Sequence, residues 1–305
     1  MIDDRTPPPV RVPHIGIKLP NWGTSASPES ISAVARAADR SGFDSLWVSD
    51  HVAIPSDADL MGVDSTTAFY EVLTTLGYVG ALTDRIQLAT GVLVGPLRES
   101  VLLAKQVATV DRLTSGRMVL GMGAGWLQGE FDALGRDWSG RGRALGDSIV
   151  DMREAWRCEQ FVPRGTSTSV GSAPRPVRDS VPVVLGGNST AALARAARLA
   201  DGWYGANLTP DEFASTRATL IELGADVPSG FRMGIKPKVV HRAVVGETVA
   251  AYAHAGADFV VLDVEFSGMS GDESAGAVVE LAEKLQLSGT AREPLEPIMR
   301  RSDDR

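Results

Sequence analysis

The chain has one cysteine and four histidines in 305 residues, and no stretch stays apolar for the length that a membrane span requires. Each shortage removes a class of protein. Cys158 has no second thiol to pair with, and "AWRCEQF" places no histidine beside it as a base, so it reads as a quiet structural thiol. The histidines, at 14, 51, 241 and 254, fall in neither H-x-H nor H-E-x-x-H spacing, and no metal site is expected. A bilayer span takes about 18 uninterrupted apolar residues. The opening "MIDDRTPPPVRV" is acidic and proline-rich where a secretory leader needs a basic start and an apolar stretch. A cytoplasmic protein without a membrane partner is the expectation. Basic clusters are missing too: 30 basic residues against 38 acidic give a formal net charge of −8, which disfavours a nucleic-acid partner. No G-x-S-x-G elbow and no acidic pair suited to glycoside hydrolysis is found. An enzyme so poor in nucleophiles and metal ligands takes its chemistry from a cofactor, and its partner is a small-molecule substrate.

What the sequence does contain is a repeated pattern: a short apolar run, a break rich in glycine, serine or aspartate, then an amphipathic stretch of helical period. Strands are predicted at 14–20, 43–50, 85–94, 117–125, 181–187, 202–207, 231–240 and 258–266, with helices near 28–41, 68–82, 99–113, 143–157, 189–200, 210–223, 247–255 and 273–286. Runs such as "PVVL" and "FVVL" are apolar on both faces, as strands covered on both sides of a parallel sheet must be. Eight such units in about 250 residues predict an α/β protein with a (β/α)8 TIM barrel; an open doubly wound sheet is the alternative. The barrel is expected over 13–290 as one domain with an excursion at 158–180, between a flexible arm at 1–12 and a polar tail at 291–305.

In such barrels chemistry gathers where strands end. The first tip carries Asn21-Trp22, the second Asp50-His51, the third Thr90-Gly91-Val92, the fourth Ala124-Gly125-Trp126 and the fifth Gly186-Gly187-Asn188-Ser189. The fifth tip has two readings: glycines and a helix N-terminus that together cradle a phosphate, or a plain turn with Asn188 or Ser189 as the cap. "GMGAGW" lacks the third glycine of a dinucleotide fingerprint, and its glycines read instead as relief of crowding where a flat ring could lie. His51 is a candidate to shuttle a proton or hold a ligand, or else a loop histidine bonded to backbone; Asp50, its neighbour on extended chain, points the other way. Trp22, Phe69, Tyr70, Trp126 and Trp203 are candidate substrate walls or core residues, and Arg141 and Arg143 either meet an acidic ligand or face solvent.

The stretches "GFDSLWVSDH" (42–51), 82–135 with "LAKQVATVDRLTSGR" and "GAGW", "RGRALGDSI" (141–149) and "VPVVLGGNSTAALARAARLADGW" (181–203) resemble the luciferase-like monooxygenase superfamily, specifically its actinobacterial branch that uses coenzyme F420. The resemblance implies a barrel with a deep pocket at the strand C-termini for a flavin or deazaflavin. It implies that the phosphate rests on Gly186, Gly187, Asn188 and Ser189. The ring would lie near Thr90, Gly91, Val92, Ala124 and Gly125, with a non-prolyl cis peptide near Gly91. Asp50 and His51 would be catalytic, and Asn21, Trp22, Trp126 and Trp203 would line the substrate pocket. Trp126 stands where some F420-dependent sugar dehydrogenases carry an acid, which argues against their mechanism. The activity implied is hydride exchange between F420 and a small organic substrate. The alternatives are an FMN-dependent monooxygenase supplied by a flavin reductase, and a non-catalytic flavin binder. Relatives are commonly dimers, so a homodimer is expected.

Overall fold

A computed structural model describes residues 12–58 and 63–287. The predicted arm, apart from Val12, and the whole predicted tail lie outside the described residues, as do 59–62. The chain runs β1 (His14–Lys18), α1 (Pro28–Arg40), β2 (Ser45–Val48), α2 (Val72–Gly80), β3 (Gln87–Thr90), β4 (Leu93–Val94), α3 (Ser100–Leu113) and β5 (Met118–Gly123). It continues through α4 (Gln128–Ala133), α5 (Arg141–Arg157), β6 (Val183–Gly186), α6 (Thr190–Leu199), β7 (Gly202–Ala206) and α7 (Pro210–Glu222). It closes with β8 (Arg232–Lys236), α8 (Val245–His254), β9 (Phe259–Leu262) and α9 (Gly271–Lys284).

Every pairing between these strands is parallel, and β1 pairs with both β2 and β9 while β3 pairs with β5. The sheet is therefore a closed barrel of eight staves, with β4 a short extension of β3 along β5. Closure excludes the open doubly wound alternative, because that sheet would leave two edges. Local chemistry sets the helix starts: Ser27 caps α1 ahead of Pro28, and the pairs Thr209 with Glu212 and Ser270 with Glu273 form capping boxes on α7 and α9. Helix α2 begins at Val72 rather than near 68 because Phe69 is held in an antiparallel bridge with Trp22 and Glu71 takes the cap position. The excursion after α5 is strapped to α3: Arg112 donates to the Arg175 carbonyl (2.6 Å), Lys105 to that of Ala173, and the Val177 amide to Asp111 (2.8 Å).

Two layers of apolar side chains result. The larger lies between strands and helices. The smaller fills the barrel itself, with Trp47, Tyr204 and Phe259 stacked at centroid distances of 4.7 to 6.2 Å among Ala89, Val119, Val184 and Val261. Facing strands make room for those rings with glycine: a Cβ on Gly16 would lie 2.6 Å from the Trp47 ring nitrogen, and one on Gly234 would enter the Phe259 ring. This plug sets the depth at which any cavity can begin. Trp47→Ala should cost about 3–5 kcal/mol in urea unfolding; a loss below about 1 kcal/mol would show that the rings do not carry the barrel core.

Candidate active site

A cavity of about 590 Å³ opens above the plug at the C-terminal end of the strands, and a neighbouring hollow of about 800 Å³ adjoins it past Lys18, Trp22 and Asp263. A third hollow, at the other end of the barrel beside Trp47 and Arg232, holds about 30 Å³, room for little more than one water. The main cavity is the only one of the three lined by His51.

His51 follows β2 and is fixed from one side. Its Nδ1 lies 3.0 Å from Glu130 Oε2, while Glu130 Oε1 accepts from the amides of Val52 (2.8 Å) and Ala53 (3.2 Å). Burial works to raise the Glu130 carboxyl, but the hydrogen bonds from His51 and the two amides outweigh it and hold the group below the usual carboxylate range. An ionised carboxylate only accepts, so Nδ1 carries a proton and Nε2 is left for the cavity. Phe69 and Trp126 meet the imidazole edge-on at 5.0 and 5.7 Å. The partner of the ring is a buried acid and not the backbone carbonyl of a plain loop histidine.

Asp50 lines the same cavity and is held there in an ion pair. Both oxygens take the Arg98 guanidinium at 2.7 and 2.9 Å, Oδ2 also accepts from the Val94 amide (2.8 Å), and the side chain is 1% exposed. Asp50 thus ties β2 to β4 through both of its oxygens. Asn21 is likewise fully buried and committed, clamping Ser49 through the carbonyl (2.9 Å) and amide (3.0 Å) and reaching the Tyr70 carbonyl (3.2 Å). It shapes the tip of β2 and lines nothing. Trp203 is a further correction: it is fully buried, donates to the Gly187 carbonyl (2.9 Å) and stacks on Phe213 of α7. Its neighbour Tyr204 points into the barrel instead, as alternation along β7 requires. Trp22 and Trp126 do line the cavity, Trp22 stacked on Phe69 at 5.5 Å, whereas the Tyr70 side chain is exposed and outside that lining.

At the third tip the Gly91–Val92 peptide is cis. Thr90 is turned away from the cavity, its hydroxyl donating to the Gly121 carbonyl (2.6 Å), so only Gly91 and Val92 reach the cavity. Crowding does explain the glycines of β5, though the crowding group is this bulge: a Cβ on Gly121 would collide with the Thr90 carbonyl, and one on Gly123 would lie 2.8 Å from Val92. Gly125 faces the cavity at a φ of 84°, and Ala124 packs against the core behind it.

The fifth tip is exposed from Gly187 onward. Ser189 caps α6, accepting from the Ala192 amide (3.3 Å), and Asn188 Nδ2 is spent on the Ala206 carbonyl (2.9 Å). Both side chains serve the turn, yet the Ser189 hydroxyl and the second Asn188 N–H remain as donors beside the backbone amides of the first turn. Arg195 of α6 reaches across to Gly142 at the start of α5, where a Cβ would strike its guanidinium. Burial and the nearby charges of Arg198 and Arg141 all lower the pKa of Arg195, and no carboxylate pairs with it among the described residues. Arg141 donates to the Gly125 carbonyl (3.3 Å) on the cavity rim and lies over Trp138; Arg143 is exposed. Two helix N-termini and two arginines therefore meet beside the cavity.

Sequence reasoning missed Arg98 and Arg195, and four residues more. Glu130 sits on α4, a six-residue helix inside what reads as a loop, and no spacing announces it. Lys18, Lys236 and Asp263 each end or directly follow an apolar strand, and that signal was legible one residue at a time.

A sequence model described as luciferase-like monooxygenase matches residues 15–292, so the chain belongs to that family. It is 29% identical over 288 residues to an uncharacterized protein of Mycobacterium tuberculosis, covering 89% of this chain and 98% of that one. It is 34% identical over 205 residues to an F420-dependent glucose-6-phosphate dehydrogenase of Nakamurella multipartita, covering 65% of this chain and 56% of the relative. The fold superposes with a TM-score of 0.69, at 15% identity and over 92% and 100% of the two chains, on the oxygenating constituent of 3,6-diketocamphane monooxygenase from Pseudomonas putida, solved in complex with FMN.

The ionised form of Glu130 stabilises the fold, because its pKa lies below the ordinary value of 4.5; that contribution is complete above this pH and is lost as pH falls through the lower, folded value. Glu130→Gln should therefore cost about 1–3 kcal/mol at pH 7, with the gap to wild type closing in acid. Urea unfolding at several pH values measures it, and a gap that stays constant across that range would refute the assignment.

Proposed function

We propose that the protein is an oxidoreductase that exchanges a hydride between coenzyme F420 and a small organic substrate held in the cavity beside His51. The observation that supports this reading is a cavity of about 590 Å³ whose lining residue Gly125 accepts from Arg141, with Arg195 and the first turn of α6 beyond it as groups that could meet an anion. Cavities of about 300–1,000 Å³ suit ligands of this size. The residues fit a phosphate-bearing tricyclic group on two counts: guanidiniums without a carboxylate partner among the described residues, and a shelf of Gly91 and Gly125 where backbone comes close to the ligand space. F420 is favoured because the Nakamurella relative, at 34% identity, is F420-dependent. The FMN found with the Pseudomonas neighbour supports the alternative of an FMN-dependent monooxygenase. Trp126 in place of an acid speaks against a sugar as substrate.

When bound, the cofactor supplies the hydride chemistry that no side chain here can. The protein supplies position and a proton. Glu130 fixes the ring and the tautomer of His51, so that Nε2 faces the cavity and an imidazolium formed there is stabilised by the buried carboxylate, the division of labour of any acid-oriented histidine. Phe69, Trp22 and Trp126 limit water around the imidazole. Gly91 and Val92 give one wall, and the Asp50–Arg98 pair holds that wall against β2.

Titration of the purified protein with F420 and, separately, with FMN, followed by tryptophan fluorescence, should show tighter binding of F420. Arg195→Ala should weaken it at least tenfold. Preference for FMN would move the assignment to the monooxygenase alternative, and binding of neither would overturn the reading. His51→Ala should leave cofactor affinity intact and lower turnover by about 10²–10⁴-fold, the usual worth of a general acid; an unchanged kcat would remove His51 from the mechanism.

A further inference from the structure

Three charged side chains that the proposal above does not use meet on one side of the cavity. Lys18 ends β1, Lys236 ends β8 and Asp263 follows β9, and these strands are neighbours in the barrel. Both ammonium groups point at the same oxygen, Asp263 Oδ2, from 3.4 Å and 3.1 Å. One carboxylate thus serves two cations. The other partners are neutral: Asn207 Oδ1 (3.0 Å) and the Pro237 carbonyl (3.4 Å) for Lys236, and the Trp22 ring, 6.0 Å away, for Lys18. Of the other ionisable side chains that line this cavity, Asp50 is paired with Arg98 and His51 with Glu130.

Lys18 is 9% exposed, a depth that lysine seldom reaches without a full counter-charge. Burial lowers its pKa, Asp263 opposes that, and Lys236 adds to the lowering. Beside them the Tyr204 hydroxyl is buried with no partner among the described residues, close to the Gly91 backbone and within the field of Asp263. The corner thus sets two ammonium groups on one carboxylate oxygen beside a hydroxyl without a partner among the described residues, with Asp64 and Glu265 also lining the adjoining hollow.

We propose that Lys18 and Lys236 form an anion subsite for the substrate, and that the substrate is a small carboxylic acid bound as its carboxylate. The inference rests on the oxidoreductase reading only in taking this cavity as the substrate's. The subsite is separate from the phosphate cradle: β5, which leads through α4 to α5 and Arg141, faces β9 across the barrel, and β6, which leads to α6, is parted from β8 by β7. Asp263 is a positioning residue that holds the two ammonium groups close enough for one carboxylate to bridge them. The apolar walls, Trp22, Phe69, Val92 and Trp126, suit a hydrocarbon body behind that carboxylate.

The test uses benzoate and its neutral counterpart benzamide as probes, titrated into the purified full-length protein without cofactor and read by tryptophan fluorescence, since Trp22 and Trp126 line the cavity. Benzoate should bind at least tenfold more tightly than benzamide. Lys236→Met and Lys18→Met should each abolish that preference, while Asp263→Asn, which keeps an accepting oxygen between the ammonium groups and removes the charge that competes with benzoate, should strengthen benzoate binding. Thermal unfolding of each variant checks the fold, and Lys236, the more exposed of the two lysines, keeps the test available should the Lys18 variant not fold. Equal binding of benzoate and benzamide, or a preference that survives in folded Lys236→Met, would overturn the proposal. So would displacement of benzoate by saturating F420, because the lysines would then serve the cofactor. The cofactor-free titration is readable whether or not F420 binds, so failure of F420 to bind counts against the oxidoreductase reading alone.

Discussion

The carboxylate of Asp50 is the pin on which the site turns. It accepts two hydrogen bonds from Arg98 and one from the Val94 amide, and Arg98 reaches on to Glu71 (3.2 Å), the cap of α2. One buried pair thereby joins the tip of β2, the bulge after β3 and the start of a helix. His51 is the next residue along the chain, and Gly91 and Val92 lie just before the strand that Asp50 holds. Removing either partner of such a pair leaves a buried charge uncompensated, at a cost of about 3–5 kcal/mol. The geometry of the cavity and the stability of the barrel mouth therefore depend on the same contact.

Above the aromatic plug the charges are sorted by position. Along β2 and α4 an acid orients a histidine; beside α5 and α6 arginines stand without carboxylates; along β8, β9 and β1 two lysines share one aspartate. A chain with a formal net charge of −8 has thus left two of the three charged sectors of its cavity rim positive. Under the proposed reading each would meet a negatively charged group, with the histidine between them around the barrel.

The fold was largely legible because both faces of each stave are covered, which writes every strand as a short apolar run whatever its neighbours are. Helix ends were legible where a cap residue marks them, as at Ser27, Thr209 and Ser270. The site was less so. That Asp50 and His51 point apart follows from extended chain, and they do; that Asp50 is consumed by Arg98, 48 positions on, does not. Trp203 and Tyr204 differ by one residue of register, which decides between helix layer and barrel interior and cannot be read from two adjacent aromatics. Lys18 and Lys236 lie at opposite ends of the sequence and become neighbours only when β1 closes against β9.

The most direct test is a crystal structure of the protein with F420. The account predicts the phosphate within hydrogen-bonding distance of Arg195 and the first turn of α6, the ring against Gly91 and Val92, and His51 Nε2 facing it. A ring bound outside this cavity, or a phosphate seated on Lys18 and Lys236, would contradict it.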